Sequence, residues 1–322
     1  MKSYLKLLPS IFSPAGKRAK LSIVIYHRVL LEPDLLLGQK GDITSFDKHL
    51  RILSQNFNIV PLSQAVSMLK TNILPSRAVC ITFDDGYADN AEIALPILKK
   101  YSAVATFFVS AGVIDGGRMW NDTIIESIRH AQGDILDLTQ LGMGNHSIKS
   151  LAERQKVLIL LIEKLKYMPQ EQRQEIVDKL SALIAAKLPD DLMMTSDQVR
   201  QLHREGMEIG AHTISHPILA RIENPIAYNE IAEGKKMLEE IIKAPVNLFA
   251  YPNGKPNKDY QLDHVKMVKE IGFDAAVSTA WGAAQSDDNI YQLPRFTPWD
   301  VNEGSFVLRM TRNMFQKIEV AY

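Results

Sequence analysis

Two adjacent aspartates, Asp84 and Asp85, end the apolar run 78–83 (Ala-Val-Cys-Ile-Thr-Phe) and are followed at once by Gly86. Neighbouring carboxylates repel each other and are costly to desolvate. One explanation is an ordinary Asp-Gly turn. The other is a site in which one carboxylate handles a proton while its neighbour holds a cation. His212 and His216 favour the site. They lie four apart, so a helical turn or a tight loop can aim both imidazoles at one point. Two histidines and one carboxylate suit zinc or another divalent metal. The His-x-x-x-His spacing is that of a zinc-protease motif, but Thr213 stands where that motif carries its glutamate base. A pair of capping or surface histidines would show the same spacing.

Strand-like runs that alternate with helical stretches must position these groups. The segments 21–26, 78–83, 104–112, 207–211, 247–250 and 274–280 read as short strands. Helical spacing separates them, for example in 45–55, 88–101, 226–242 and 259–272. Such alternation argues for an α/β fold with a parallel sheet, open or closed into a barrel. In these folds sites form at the carboxyl ends of strands. The expected ends carry His27, Asp84 with Asp85, His212 with His216, Tyr251-Pro252-Asn253-Gly254 and, after Leu293, Pro294-Arg295. Ordinary loops would offer Lys, Glu and Ser instead.

Residues 115–195 break the rhythm: they show two long helical patterns and no convincing strand, and read as a helical insertion. Thr195 with Gln198 three residues on marks the next helix start as a capping box. The insertion helix containing Leu158, Ile159, Leu161, Ile162 and Leu165 is too apolar to be solvated all round. It either packs on the barrel wall or forms a lid, a dimer contact or a membrane-facing surface.

The bulk composition excludes several classes. Among 322 residues, 37 basic and 37 acidic side chains cancel, with no dense basic stripe to meet nucleic acid. The single cysteine, Cys80, rules out an intrachain disulfide framework. Residues 1–20 form an N-terminal extension whose apolar stretch is broken by Lys6 and Pro9, without a signal-peptide pattern. Leu5, Leu7, Leu8, Ile11 and Phe12 among basic residues leave an amphipathic membrane contact open. The expected location is cytoplasmic, with or without membrane association.

The segments Thr82-Phe-Asp-Asp-Gly86, His212-Thr-Ile-Ser-His216 and Ala250-Tyr-Pro-Asn-Gly254 resemble, in order, the first three motifs of the polysaccharide deacetylases, the NodB-homology carbohydrate esterases. The resemblance spans roughly residues 20–300. It implies a distorted (β/α)7 barrel of the NodB-homology type over residues 21–322, with the helical insertion inside it. It also implies metal-dependent removal of N-acetyl groups from an amino sugar in a saccharide or glycolipid precursor, with exopolysaccharide synthesis as one setting. By the same resemblance Asp84 is the general base, Asp85, His212 and His216 hold the metal, and the backbone N–H of Asn253 stabilises the oxyanion. Tyr251, Pro252 and Leu293 are expected to touch substrate.

Two departures stand out. Ala250 replaces an arginine that orients the base in the more familiar motif, and the late Leu-x-His motif that supplies an acid is absent. Arg295 is the expected partner of Asp84, against the alternative of a surface salt bridge. His27 is the expected acid, against a buried structural histidine. If neither substitute holds, a catalytically degenerate carbohydrate-binding relative results. A two-histidine, one-carboxylate iron oxygenase is a further rival, although it has no use for the second aspartate.

Overall fold

In the computed structural model, which describes residues 2–38 and 41–322, seven parallel strands form one curled sheet. Its path is β1 (Ser22–Tyr26), β3 (Ala78–Phe83), β4 (Ala105–Val109), β7 (Glu208–Ala211), β8 (Leu248–Ala250) and β9 (Ala275–Val277), with the short β2 (Asn58–Ile59) paired to β3. The connections carry α2 (Ile43–Asn56), α3 (Leu62–Lys70), α4 (Leu95–Lys100), α8 (Ser196–Arg204), α9 (Asn224–Ile242) and α10 (Leu262–Glu270). All residues of β3 and β4 are buried, as expected of strands covered on both faces.

Strand alternation divides the core. Val79, Ile81 and Phe83 join an outer layer with Phe107, Phe249 and the apolar faces of the helices. Ala78 and Cys80 point the other way, into an inner cluster with Ile23, Phe108, Leu248, Ala250, Val277 and Leu293. Gly210 is needed in this interior because a Cβ there would lie 2.4 Å from the Phe108 ring. The expected last strand does not form a regular ladder. Instead, Leu293 bridges to Val277 of β9 and Phe296 to Val24 of β1, so an extended segment spans the seam between the first and last strands.

Thr195 and Gln198 form the reciprocal capping box at the start of α8. The insertion departs from expectation. It holds α5 (Trp120–His130), α6 (Leu151–Lys166) and α7 (Gln170–Ile184), and also an antiparallel hairpin of β5 (Ile135–Leu138) and β6 (Gly144–Ser147). These strands escape sequence reading because each has only four residues and at most two buried side chains. The insertion has its own core of Ile124, Ile128, Leu136, Leu138, Leu158, Leu161, Leu165, Val177 and Leu180. Of the expected apolar stripe, Ile159 is 56% exposed, whereas Ile162 faces the site described below.

At the periphery, α1 (Lys2–Phe12) packs beside α11 (Glu303–Asn313). At the end of α1, Phe12 meets Phe315, just past the end of α11, edge-on. Among the described residues no helix is long and apolar enough to cross a membrane.

Candidate active site

The inward rows of the barrel end in the polar residues singled out above. Asp84 follows Cys80 and Thr82 on the same face of β3 and its extension. His212 follows Gly210 from β7, and Arg295 follows Leu293 in the seam segment. The same parity explains a correction. Tyr251 follows Phe249 into the outer layer, stacks on Tyr260 at 3.9 Å and donates its hydroxyl to the Tyr291 carbonyl. Leu293 points inward but is completely buried, and Pro252 is buried as well. None of these three expected substrate contacts lines the cavity.

Adjacent residues on a strand point to opposite faces, yet Asp84 and Asp85 both reach the site. The chain achieves this by leaving the strand at Asp85, whose φ of +77° turns the second carboxylate back. Gly86 follows at φ +93°, where a Cβ would lie 2.9 Å from Val109. The His212–His216 segment is a tight loop rather than a helix, with positive φ at Thr213 and His216. Thr213 Oγ1 accepts a hydrogen bond from the His216 N–H and braces the turn.

Asp85, His212 and His216 offer ligand atoms that all lie within 4.8 Å of one another. The Nε2 atoms of His212 and His216 stand 3.5 and 3.4 Å from Asp85 Oδ1. That oxygen is buried and has no hydrogen-bond partner. His212 Nδ1 lies 2.7 Å from the Ala250 carbonyl, which can only accept, so Nδ1 carries a proton and, in the neutral ring, Nε2 keeps the lone pair that a metal would take. In the neutral ring that lone pair faces the Asp85 oxygen, an arrangement a bound cation relieves. Without one, burial opposes protonation of His212, but Asp84 and Asp85 draw a proton to it and raise its pKa. The three residues therefore fit a divalent metal. Burial pushes His216 down to about 4, which keeps it neutral near neutrality. Burial alone would raise the pKa of Asp85, but positive charge on the histidine side of the cluster outweighs it and lowers the carboxyl below the usual range, a charge that a bound cation would supply when the rings are neutral.

Asp84 is bound differently. Arg295 Nη1 and Nη2 donate to its two oxygens at 2.6 Å each, and Arg295 Nε donates to the Ser278 carbonyl. The arginine has no exposed surface, so this is no surface salt bridge. Burial opposes ionisation of Asp84, but Arg295 and then His212 overcome it and lower its pKa.

His27 is exposed and its ring lines the same cavity, so it is not a buried structural histidine. Its backbone is pinned from behind. Its carbonyl accepts from Asn90 Nδ2, and Asp89 accepts from the Val29 N–H and from Arg28 Nε. Asp89 and Asn90 lie at the start of a π-helical turn, a feature often found beside functional sites. Asn253, with φ +58°, and Thr279 close the cavity on the β8 and β9 side.

The insertion supplies residues that sequence reading missed. Met119, Trp120, Asn121, Ile162, Lys166 and Arg173 form the facing wall. Only Ile162 had carried a signal, as part of an over-apolar helix. A lysine and an arginine in helical sequence look like solvated charges.

Comparison with known proteins agrees with this geometry. The model of the polysaccharide deacetylase family matches residues 71–276. The chain belongs to that family. The matched region contains Asp84, Asp85, His212, His216 and Asn253 but neither His27 nor Arg295. Polysaccharide deacetylases are hydrolases acting on the amide bond of N-acetylated sugars, and this chain is one of them. A Bacillus subtilis relative carrying the name "Putative polysaccharide deacetylase YxkH" is 25% identical over 281 residues, covering 87% of this chain and 71% of the relative. Among solved structures, the Streptococcus pyogenes deacetylase PplD in complex with acetate superposes with a TM-score of 0.61 at 19% identity, covering 91% of this chain and 98% of PplD. IcaB from Ammonifex degensii gives 0.58 at 19% identity, covering 93% and 98%. At these identities the structural likeness establishes the fold, a distorted barrel with parallel strands.

Proposed function

We propose that this polysaccharide deacetylase uses a divalent ion, zinc in our reading, to hydrolyse the N-acetyl group of an amino sugar in an oligosaccharide, polysaccharide or glycolipid precursor. The observation that carries this reading is the pairing of two distinct carboxylates in one cavity. Asp84 is held ionised by a buried arginine, whereas Asp85 has an orphaned oxygen between two histidine nitrogens.

Asp85, His212 and His216 would hold the ion, which when bound supplies Lewis acidity toward the acetyl carbonyl and acidifies water. Asp84 accepts the proton of the attacking water, and Arg295 keeps both carboxylate oxygens aligned for that transfer. The Asn253 backbone N–H donates to the carbonyl oxygen as it gains charge. An amine is a poor leaving group until protonated, and His27, on the cavity rim, delivers that proton. Imidazole is the side chain most often used for such proton transfer. Trp120 and Ile162 offer apolar surface to the sugar ring. With a volume of about 240 Å³, below the roughly 300–1,000 Å³ of typical ligand pockets, the cavity takes a single acetylated unit while the rest of a longer saccharide lies across its mouth.

Acetate release from acetylated chito-oligosaccharides by the metal-reconstituted chain tests this reading. Turnover that is lost in Asp84→Asn is the expected result. Saccharide binding without acetate release under any divalent ion would instead favour the degenerate carbohydrate-binding relative. Family membership gives the iron-oxygenase reading no support.

A further inference from the structure

The wall facing the metal-ligand residues carries an unexplained charge. Arg173 of α7 is 5% exposed and Lys166 at the end of α6 is half-buried, and both line the cavity. Among the described residues no carboxylate forms an ion pair with either. The Arg173 guanidinium stacks on the Trp120 ring, 4.7 Å from its centroid, and reaches the Lys166 carbonyl only at 3.4 Å. Its Nε–H is buried and has no partner at all. Burial is the sole influence on Arg173, and it lowers the pKa, as for a cation that nothing compensates.

A buried charge without a partner is expensive and breaks the usual rule for protein interiors. The other charges in the cavity do not account for it. Arg295 already balances Asp84, so Asp85 alone faces two cations, and a divalent ion would make the cavity still more positive. Arg173 stacks on Trp120, lines the cavity, and keeps an Nε–H that no protein group satisfies. The Nε edge of a guanidinium matches two oxygens of a phosphoryl or carboxylate group, the geometry in which arginine binds oxyanions most strongly.

We propose that Arg173 and Lys166 form an anion subsite, and that the natural substrate is an acidic saccharide whose phosphoryl or carboxylate group docks there while its acetamido group meets Asp84 and Asp85. The saccharide part rests on the deacetylase reading above, whereas the anion part stands on a buried guanidinium that no carboxylate pairs and whose Nε–H is unsatisfied. The insertion thereby becomes the element that selects substrate, with Trp120 orienting Arg173.

Two measurements test this. The first is binding: the full chain, with its arginine side chains ¹⁵N-labelled, is titrated with methyl phosphate and separately with glucuronate. A shift of the Arg173 Nε–H resonance, weakened in Lys166→Met, is expected with at least one of them, and the one that acts identifies the phosphoryl or the carboxylate source. No shift with either anion overturns the subsite. The second is turnover of tri-N-acetylchitotriose compared with the same trisaccharide carrying a reducing-end phosphate or a uronate. The charged substrate should be preferred, and Lys166→Met and Arg173→Gln should each cut that preference roughly ten- to a hundredfold, mainly through KM. An unchanged preference in Lys166→Met, which leaves the insertion core intact, overturns the proposal. If no saccharide is turned over, the deacetylase reading fails, and the resonance titration still decides the subsite.

Discussion

Arg295 and Asp84 are 211 residues apart in the chain, yet they meet in two parallel hydrogen bonds of 2.6 Å inside the barrel. The pair is paid for by the fold: β3 delivers the aspartate, and the seam segment between β9 and β1 delivers the arginine. Breaking a buried pair leaves a bare charge and typically costs about 3–5 kcal/mol. Arg295→Met should destabilise the metal-free chain by that order in urea denaturation at neutral pH. The Asp84→Asn/Arg295→Met double variant should lose less than the two single losses combined. Because Asp84 has a depressed pKa, its contribution is present above the unfolded carboxylate value and is lost as pH falls through the folded one. Additive losses would show that the two side chains are not coupled.

The two adjacent aspartates should separate cleanly by metal content. Asp85→Ala is expected to lose both bound ion and turnover, because its orphaned oxygen is the one facing the histidine nitrogens. Asp84→Asn should keep the ion and lose turnover. Plasma mass spectrometry on dialysed variants checks this, and equal metal loss in both would reverse or merge the assigned roles.

His27→Ala should leave the melting temperature nearly unchanged, since the ring is exposed. Losing an acid-base catalyst typically costs ~10²–10⁴-fold in rate. That loss should appear in hydrolysis of an acetamide and be much smaller for an acetate ester, whose alkoxide leaves more readily. Equal losses on amide and ester would send the search for the acid elsewhere.

His49 makes stability depend on pH. It lies 3.2 Å from the Tyr26 hydroxyl and 3.1 Å from the Asp300 carbonyl, and burial pushes it down to about 4. A buried neutral imidazole favours folding fully above its unfolded value near 6.5, and that contribution drains away as pH falls toward 4. The full effect is roughly 3 kcal/mol. Denaturant midpoints measured across that window should fall more steeply in the natural chain than in His49→Gln. Parallel curves would mean that His49 already protonates normally in the fold.

The orientation of α6 is testable through neighbouring apolar residues. Leu161 is fully buried in the insertion core, whereas Ile159 is 56% exposed. Leu161→Ala should cost about 2–5 kcal/mol, and Ile159→Ser should stay within about 0.5 kcal/mol. A large loss for Ile159→Ser would reveal a covering surface over that side of the helix.

The sequence by itself determined the parallel α/β class and the strand ends, and the family resemblance pointed from those ends to Asp85, His212 and His216. These are local signals: buried strands read as apolar runs, and a strand end in such a fold opens onto the site. Local sequence did not reveal the β5–β6 hairpin, because four-residue strands with few buried side chains carry almost no periodicity. Nor did it separate Tyr251 from Asp84. Both follow apolar strands, and only the parity of each strand's inward face sends one to the outer layer and the other to the cavity. Arg295 was expected beside Asp84, but its complete burial in the seam and the cationic wall of Lys166 and Arg173 were decided by tertiary structure alone. A charged side chain looks the same in sequence whether solvent or the protein interior surrounds it, and burial is a property of the whole fold.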